Sequence, residues 1–405
     1  MKRFAFILLC VVTLPVFAAS VIRQAREALK KNQNLEQTAK TLLAEADKEG
    51  VKHADRVECL RLAAECSRKL HADENRKMFL KQKADTTRFY AHILDIFLRV
   101  GKADSLSRTP DEKGRVRPLS PRRVRDMLMP YRKNLMGGGK FFYIKANYAE
   151  AFRFLDTYIR CNELEAFAPD TLELTDTLMP MAAYLAVDAA RATGNYDGII
   201  RHATLAQRAG LKSHLIQEYL CTALAAKGDS MASAKALTEG LRRFESHPFF
   251  FSHILDALAS QGRYAEGLAF ADSMLSVNDT RPLYWYAQSL MLLKLGRDRD
   301  AIDACDSCLV RDPDYVDAHY TKGIASLNLA VTYTETACTD LTDPRCKRDR
   351  EVIQSLYNLA KLPMERVREL APQDTDRWAA PLYRIYLHLN MGPQFDEIDR
   401  IVNRH

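Results

Sequence analysis

Residues 282–313 read PLYWYAQSLMLLKLGRDRDAIDACDSCLVRDP. Small or apolar residues recur in it at steps of three and four: Ser289 and Leu292 before Gly296, then Ala301, Cys305 and Cys308 after it. Such spacing lines one face of a helix, so the glycine parts two amphipathic helices. The same glycine returns every 34 residues, at Gly194, Gly228, Gly262 and Gly296. A fixed period of that length is the mark of a repeat architecture.

The columns around the glycines keep the register. Seven residues before them stand Val187, Cys221, Leu255 and Ser289, and four before stand Ala190, Leu224, Leu258 and Leu292. Five after stand Ile199, Ser233, Gly267 and Ala301; nine after, Ala203, Leu237, Ala271 and Cys305; twelve after, Ala206, Gly240, Met274 and Cys308. All are small or apolar. A two-helix unit cannot bury its apolar face alone, so neighbouring units must stack. The glycine lets the chain reverse where a left-handed backbone is needed.

These residues resemble the tetratricopeptide repeats, whose unit is 34 residues of helix, turn and antiparallel helix. In the clearest copy Trp285 opens the first helix, Gly296 turns, Ala301 begins the second core face and Pro313 closes the unit. The copy before it keeps Gly262, Tyr264 and Leu275; the copy after it keeps Tyr320 and Gly323, breaks off over about 331–355, and resumes at Tyr357, Ala360 and Pro372. The resemblance implies an all-α, right-handed α-solenoid of stacked antiparallel helix pairs. It also implies that the first helices line a concave wall, where Tyr184 and Asp188, Glu218 and Thr222, Ser252 and Asp256, Tyr286 and Leu290, and Tyr320 and Ile324 would meet a bound segment. The family's carboxylate-gripping groove uses lysine, arginine and asparagine, which these positions lack. Tyrosines with scattered acids suit an extended peptide or a partner helix.

Outside the clear repeats the helical period continues. Phe89, Ile93, Leu94 and Phe97 before Gly101 suggest a first helix; Tyr148, Ala151, Leu155 and Tyr158 suggest a second helix whose partner spans 127–146; Leu35, Ala39, Leu42, Leu43 and Ala46 suggest another. The expected division is a leader over 1–18, degenerate repeats over 19–108, a basic linker over 109–126, a helical repeat and loop over 127–179, clear repeats over 180–315, an interrupted repeat over 316–372 with its insertion at 331–355, and capping helices over 373–405.

The chain has 405 residues, 47% hydrophobic and 27% charged, with a net charge of +7, which excludes disorder as its main state. It opens with Lys2 and Arg3, an apolar run to Phe17 and then small residues, the layout of a secretory signal cleaved after Ala18. Cys10 follows Leu9, where lipoprotein processing needs a small residue. No later segment approaches 18 apolar residues, so the expected product is soluble or peripherally attached to the envelope. Eight cysteines remain after the leader, in a compartment where disulfides persist. Cys338 and Cys346 flank a short TDLTDPR loop and form the candidate bridge.

Other constellations read as structure. Cys305 and Cys308 make a CxxC, but both fall in core columns away from a helix start. Gly137–Gly139 and Lys140 lack the flanking residues of a phosphate loop and suggest a flexible turn. The ten histidines have no metal spacing, and HExxH, GxSxG and Rossmann fingerprints are absent from the sequence. The expectation is therefore no cofactor, no metal, no catalysis, and a protein rather than a nucleic acid as partner. Between Lys113 and Lys133 eight basic side chains face Asp126 alone; Arg122, Arg123 and Arg125 are its densest part. That segment is either a solvated linker or a docking loop for an acidic partner or anionic envelope surface. The sequence also resembles secreted repeat proteins of the Bacteroidetes in combining a leader with degenerate repeats. A second reading, an envelope enzyme or glycan-binding accessory protein, would place a site in 331–355.

Overall fold

A computed structural model describes residues 15–402, apart from 171, 246, 340 and 341. The leader's residues 1–14 lie outside the described residues; residues 15–18 form the first turn of the first helix. Among the described residues there are α-helices and short 3₁₀ turns and no strand. No helix among them is long and apolar enough to cross a membrane.

The chain divides into two compact units, 1–236 and 237–405. The first holds α1 (Pro15–Lys31), α2 (Leu35–Ala46), α3 (His53–Phe79), α4 (Thr86–Ser107), α5 (Pro121–Ile144), α6 (Tyr148–Arg160), the short α7 (Leu172–Thr175), α8 (Met179–Ala192), α9 (Tyr196–Gln207) and α10 (Ser213–Ala226). The division falls within α11 (Ser230–Arg243). The second unit continues with α12 (Pro248–Ser260), α13 (Tyr264–Val277), α14 (Pro282–Lys294), α15 (Asp298–Arg311), α16 (Val316–Thr336), α17 (Pro344–Leu370), α18 (Thr375–His388) and α19 (Gly392–Val402).

Within each unit most consecutive helices pack as pairs, and alternate helices also touch: α1 with α3, α4 with α6 and α8 with α10 in the first unit; α12 with α14, α14 with α16 and α16 with α18 in the second. The fold is therefore an all-α stack of helix pairs. The periodic glycines make one and the same turn. Gly194, Gly228, Gly262 and Gly296 have φ between +68° and +78°. The next residue's N–H reaches back to the last turn of the first helix, as Arg297 does to the Leu292 carbonyl at 2.9 Å and Asn195 to that of Ala190 at 2.8 Å. Where the glycine is missing the turn persists on a strained residue: Lys81, Ala146 and Asn390 all have positive φ.

Apolar side chains on the facing sides of the helices fill the cores. In the first unit Leu42, Leu60, Ile93, Leu128, Phe154 and Val187 are fully buried; in the second, Phe251, Met291, Met364, Leu382 and Ile385. Each such side chain contributes about 1.5–3 kcal/mol through burial. The small entries of the fifth column stand where helices approach most closely: a Cβ on Gly267 would lie 2.7 Å from the Met291 sulfur.

Four expectations need correction. Gly137–Gly139 are no flexible turn but part of α5, because α5 and α6 cross there too closely for side chains; a Cβ on Gly138 would sit 2.6 Å from the Phe154 ring, and one on Gly139 2.6 Å from Leu155. Gly101 lies inside α4, which runs on to Ser107, with open space around its Cβ position. The interruption at 331–355 is mostly two helix extensions, α16 to Thr336 and α17 from Pro344, joined by a short loop. The basic segment is coil only to Ser120, since Pro121, which has no N–H, starts α5 where no N–H is needed. Arg122, Arg123 and Arg125 therefore stand on the first turns of a helix.

Candidate functional site

The positions expected to meet a ligand lie on alternate helices in both units, and each unit gathers a cluster of its own. In the first, Tyr184 and Asp188 are one turn apart on α8, and Glu218 follows on α10. The structure adds three residues: Tyr143 from the end of α5, Arg191 from α8 and Tyr219 from α10. The Tyr143 hydroxyl donates to Asp188, and the Arg191 Nε lies 3.3 Å from the other Asp188 oxygen. The Arg191 guanidinium also stands 5.2 Å over the Tyr219 ring. Burial first, and then the Asp188 hydrogen bond, push the Tyr143 hydroxyl up from its ordinary pKa; burial raises Tyr219 as well, against the opposing pull of Arg191. Both rings are therefore protonated donors at neutral pH. Tyr184 is half-buried, and Thr222 is exposed.

In the second unit Asp256 (α12), Tyr286 and Leu290 (α14), and Tyr320 and Ile324 (α16) occupy successive first helices. Arg377, reaching across from α18, joins them. It donates to Asp317 at 2.7 Å and lies 4.5 Å over the Tyr320 ring. Tyr286 packs against Tyr315 with ring centroids 5.2 Å apart. Burial pushes Tyr286 up to about 12; the charges of Asp317 and Asp256 add to this and Arg377 opposes it. Leu290 and Ile324 are half-buried against the core, Ser252 is half-buried and Asp256 is exposed. Each face thus offers tyrosine hydroxyls and flat rings beside carboxylates, with one arginine already engaged.

Sequence columns did not find Tyr143, Arg191, Tyr219, Asp317 or Arg377. Arg191 was legible, one further turn from Asp188 on the same helix face. Arg377 was not, because α18 turns at Asn390 and so escapes the glycine register.

Three of the eight basic side chains of this segment have internal partners. Arg115 pairs with Asp111, Arg125 donates to the Ala166 carbonyl at 3.4 Å, and Arg132 is buried against Asp176 and 4.1 Å over the Tyr158 ring. Arg122 and Arg123 are exposed. Cys305 and Cys308 are buried in α15, and burial lifts their thiols to about 11 and about 12, far from the thiolate that redox or metal chemistry needs. Cys338 and Cys346 come together at the α16–α17 turn, the Cys346 thiol 2.7 Å from the Cys338 carbonyl. Asp349 holds that turn by accepting from Tyr333 at 3.0 Å and from the Cys338 N–H at 2.8 Å. No three His, Cys, Asp or Glu side chains among the described residues converge as a metal site.

No protein-family model matches the chain, and no curated protein matches it. Solved structures are similar to it. The C-terminal part of a TPR repeat-containing protein from Cytophaga hutchinsonii is 13% identical over 62% of this chain and 93% of its own, with a TM-score of 0.37. A TPR repeats protein from Bacteroides fragilis is 14% identical over 67% and 98%, with a TM-score of 0.31. A TPR domain of yeast Sti1 in its pHSP90 complex is 13% identical over 80% and 98%, with a TM-score of 0.25. Identity and superposition are low in all three, and the fold rests on the helix pairing within the chain itself.

Proposed function

We propose that this chain is an exported, non-enzymatic tetratricopeptide-like scaffold of a bacterial envelope that holds protein partners on the first-helix faces of its two units. The observation that carries the reading is the recurrence of one chemistry on two faces. Tyr143, Tyr184 and Tyr219 surround the Asp188–Arg191 pair, and Tyr286, Tyr315 and Tyr320 surround the Asp317–Arg377 pair. Rigid rings with hydroxyl donors bind peptide backbone and side chains at small entropic cost. With both arginines engaged by carboxylates, the faces suit an internal extended segment or helix better than a chain's terminal carboxylate. Export follows from the arrangement of residues 1–18, and an origin among the Bacteroidetes from the style of the sequence.

Residues 331–336 and 344–355 extend α16 and α17, and Asp349 of α17 accepts from Tyr333 and the Cys338 N–H, which supports the tyrosine-lined faces over the alternative of an enzyme or glycan site in 331–355. Replacing Tyr286 and Tyr320 together by alanine is expected to abolish partner recovery from intact cells with helical circular dichroism unchanged. Undiminished recovery would refute the face assignment.

A further inference from the structure

The α3–α4 turn carries a feature that the partner-binding faces do not use. Residues 77–83 read KMFLKQK. α3 ends at Phe79 with Lys81 in the left-handed conformation, and the Gln82 N–H donates to the Lys77 carbonyl at 2.9 Å. Such a helix end ordinarily tucks an apolar residue back against the last turn. Here that position is Gln82, and the apolar residues point outward: Phe79 is 85% exposed, with Met78 and Leu80 also exposed. α5 ends beside it in the same manner, Ala146 left-handed and Ile144 84% exposed. The end of α3, the start of α4 and the end of α5 line one hollow, through Lys77, Lys83, Thr87, Phe141 and Lys145.

Basic side chains outnumber acidic ones around this tip. Lys81, Lys83 and Lys145 are exposed, and Lys145 sits 4.2 Å over the Phe141 ring. The two nearby acids are occupied. Glu74 accepts from Lys77 at 2.7 Å and from the Asp85 N–H at 3.0 Å, while Asp85 caps α4 through the Thr87 and Arg88 N–H groups. A protruding apolar tip with lysines beside it matches a deformable surface with an apolar interior and anionic heads. We infer that the Phe79 tip, with Ile144 beside it, docks the first unit onto an anionic lipid surface, the rings and aliphatic chains entering the headgroup boundary while Lys81, Lys83 and Lys145 contact lipid phosphates. This docking is separate from the faces proposed to hold protein.

The test uses the full chain with Trp285→Phe and Trp378→Phe as background and Phe79→Trp as the reporter, with Met231→Trp on the same background as a control at a site 84% exposed elsewhere in the same unit. Vesicles of phosphatidylcholine with phosphatidylglycerol brominated on the acyl chains should quench the tryptophan of the first variant and leave that of the second bright, so membrane attachment through residues 4–17 alone would not give the result. Adding Lys81→Gln and Lys83→Gln to the reporter chain should lower its vesicle partition by about tenfold or more, and raised salt should weaken it further. Equal quenching of both reporters, quenching of neither, or equal binding to vesicles of phosphatidylcholine alone would overturn the inference.

Discussion

Gly138 and His92 show how far single residues reach. Gly138 has the helical backbone of α5, and its lack of a side chain serves the Phe154 ring that occupies the Cβ position. Gly138→Val forces that ring or the helix aside and is expected to cost about 1–3 kcal/mol, lowering the melting temperature by several degrees in a circular dichroism melt. An unchanged melt would place α5 and α6 further apart than described. The triple glycine was visible in the sequence, but composition cannot tell a turn from a close crossing, because both select glycine. His92 gives a pH dependence. Burial, then the charges of Arg88, Arg99 and His71, depress it to about 4, with Glu74 opposing. As pH falls below the ordinary histidine value of about 6.5 the unfolded chain takes up the proton first, so stability present above that pH is lost progressively down to about 4. His92→Gln should flatten this slope, by on the order of 1–3 kcal/mol between the two ends, in denaturant titrations at successive pH values.

At the scale of elements, the 34-residue period located the helix pairs from α8 to α15, because the turn inside each pair there uses a glycine with positive φ and every core column is small or apolar. Three turns escaped the period because Lys81, Ala146 and Asn390 adopt the left-handed conformation without a glycine. The lengths of α16 and α17 were not legible either: 331–355 breaks the repeat frame while keeping helical character, and only the loop between Thr336 and Pro344 leaves the helices. That loop brings Cys338 and Cys346 together. With oxidised glutathione the two thiols are expected to exchange to one disulfide, releasing two reduced glutathiones and lowering the intact mass by two hydrogens. Alkylation should then fail at both positions until reductant is added. Equal alkylation before and after oxidation would show that the turn keeps the thiols apart.

For the whole molecule, the sequence made the stacked-helix architecture and half of each partner face readable. Tyr184, Asp188, Glu218, Asp256, Tyr286 and Tyr320 are what the resemblance to the tetratricopeptide repeats implies, whereas their arginine neighbours come from elements outside the register or from the next turn of the same helix. Function then rests on whether these faces are occupied in the cell. The most direct measurement places a photo-crosslinking amino acid at Tyr286, at Tyr184 and, as a control, at Val310, which is 81% exposed on the second helix α15, followed by irradiation of intact cells and mass spectrometry of the adducts. Discrete protein adducts from positions 184 and 286, with none from 310, are the expected result. Adducts of equal yield from all three positions, or none from 184 and 286, would contradict it.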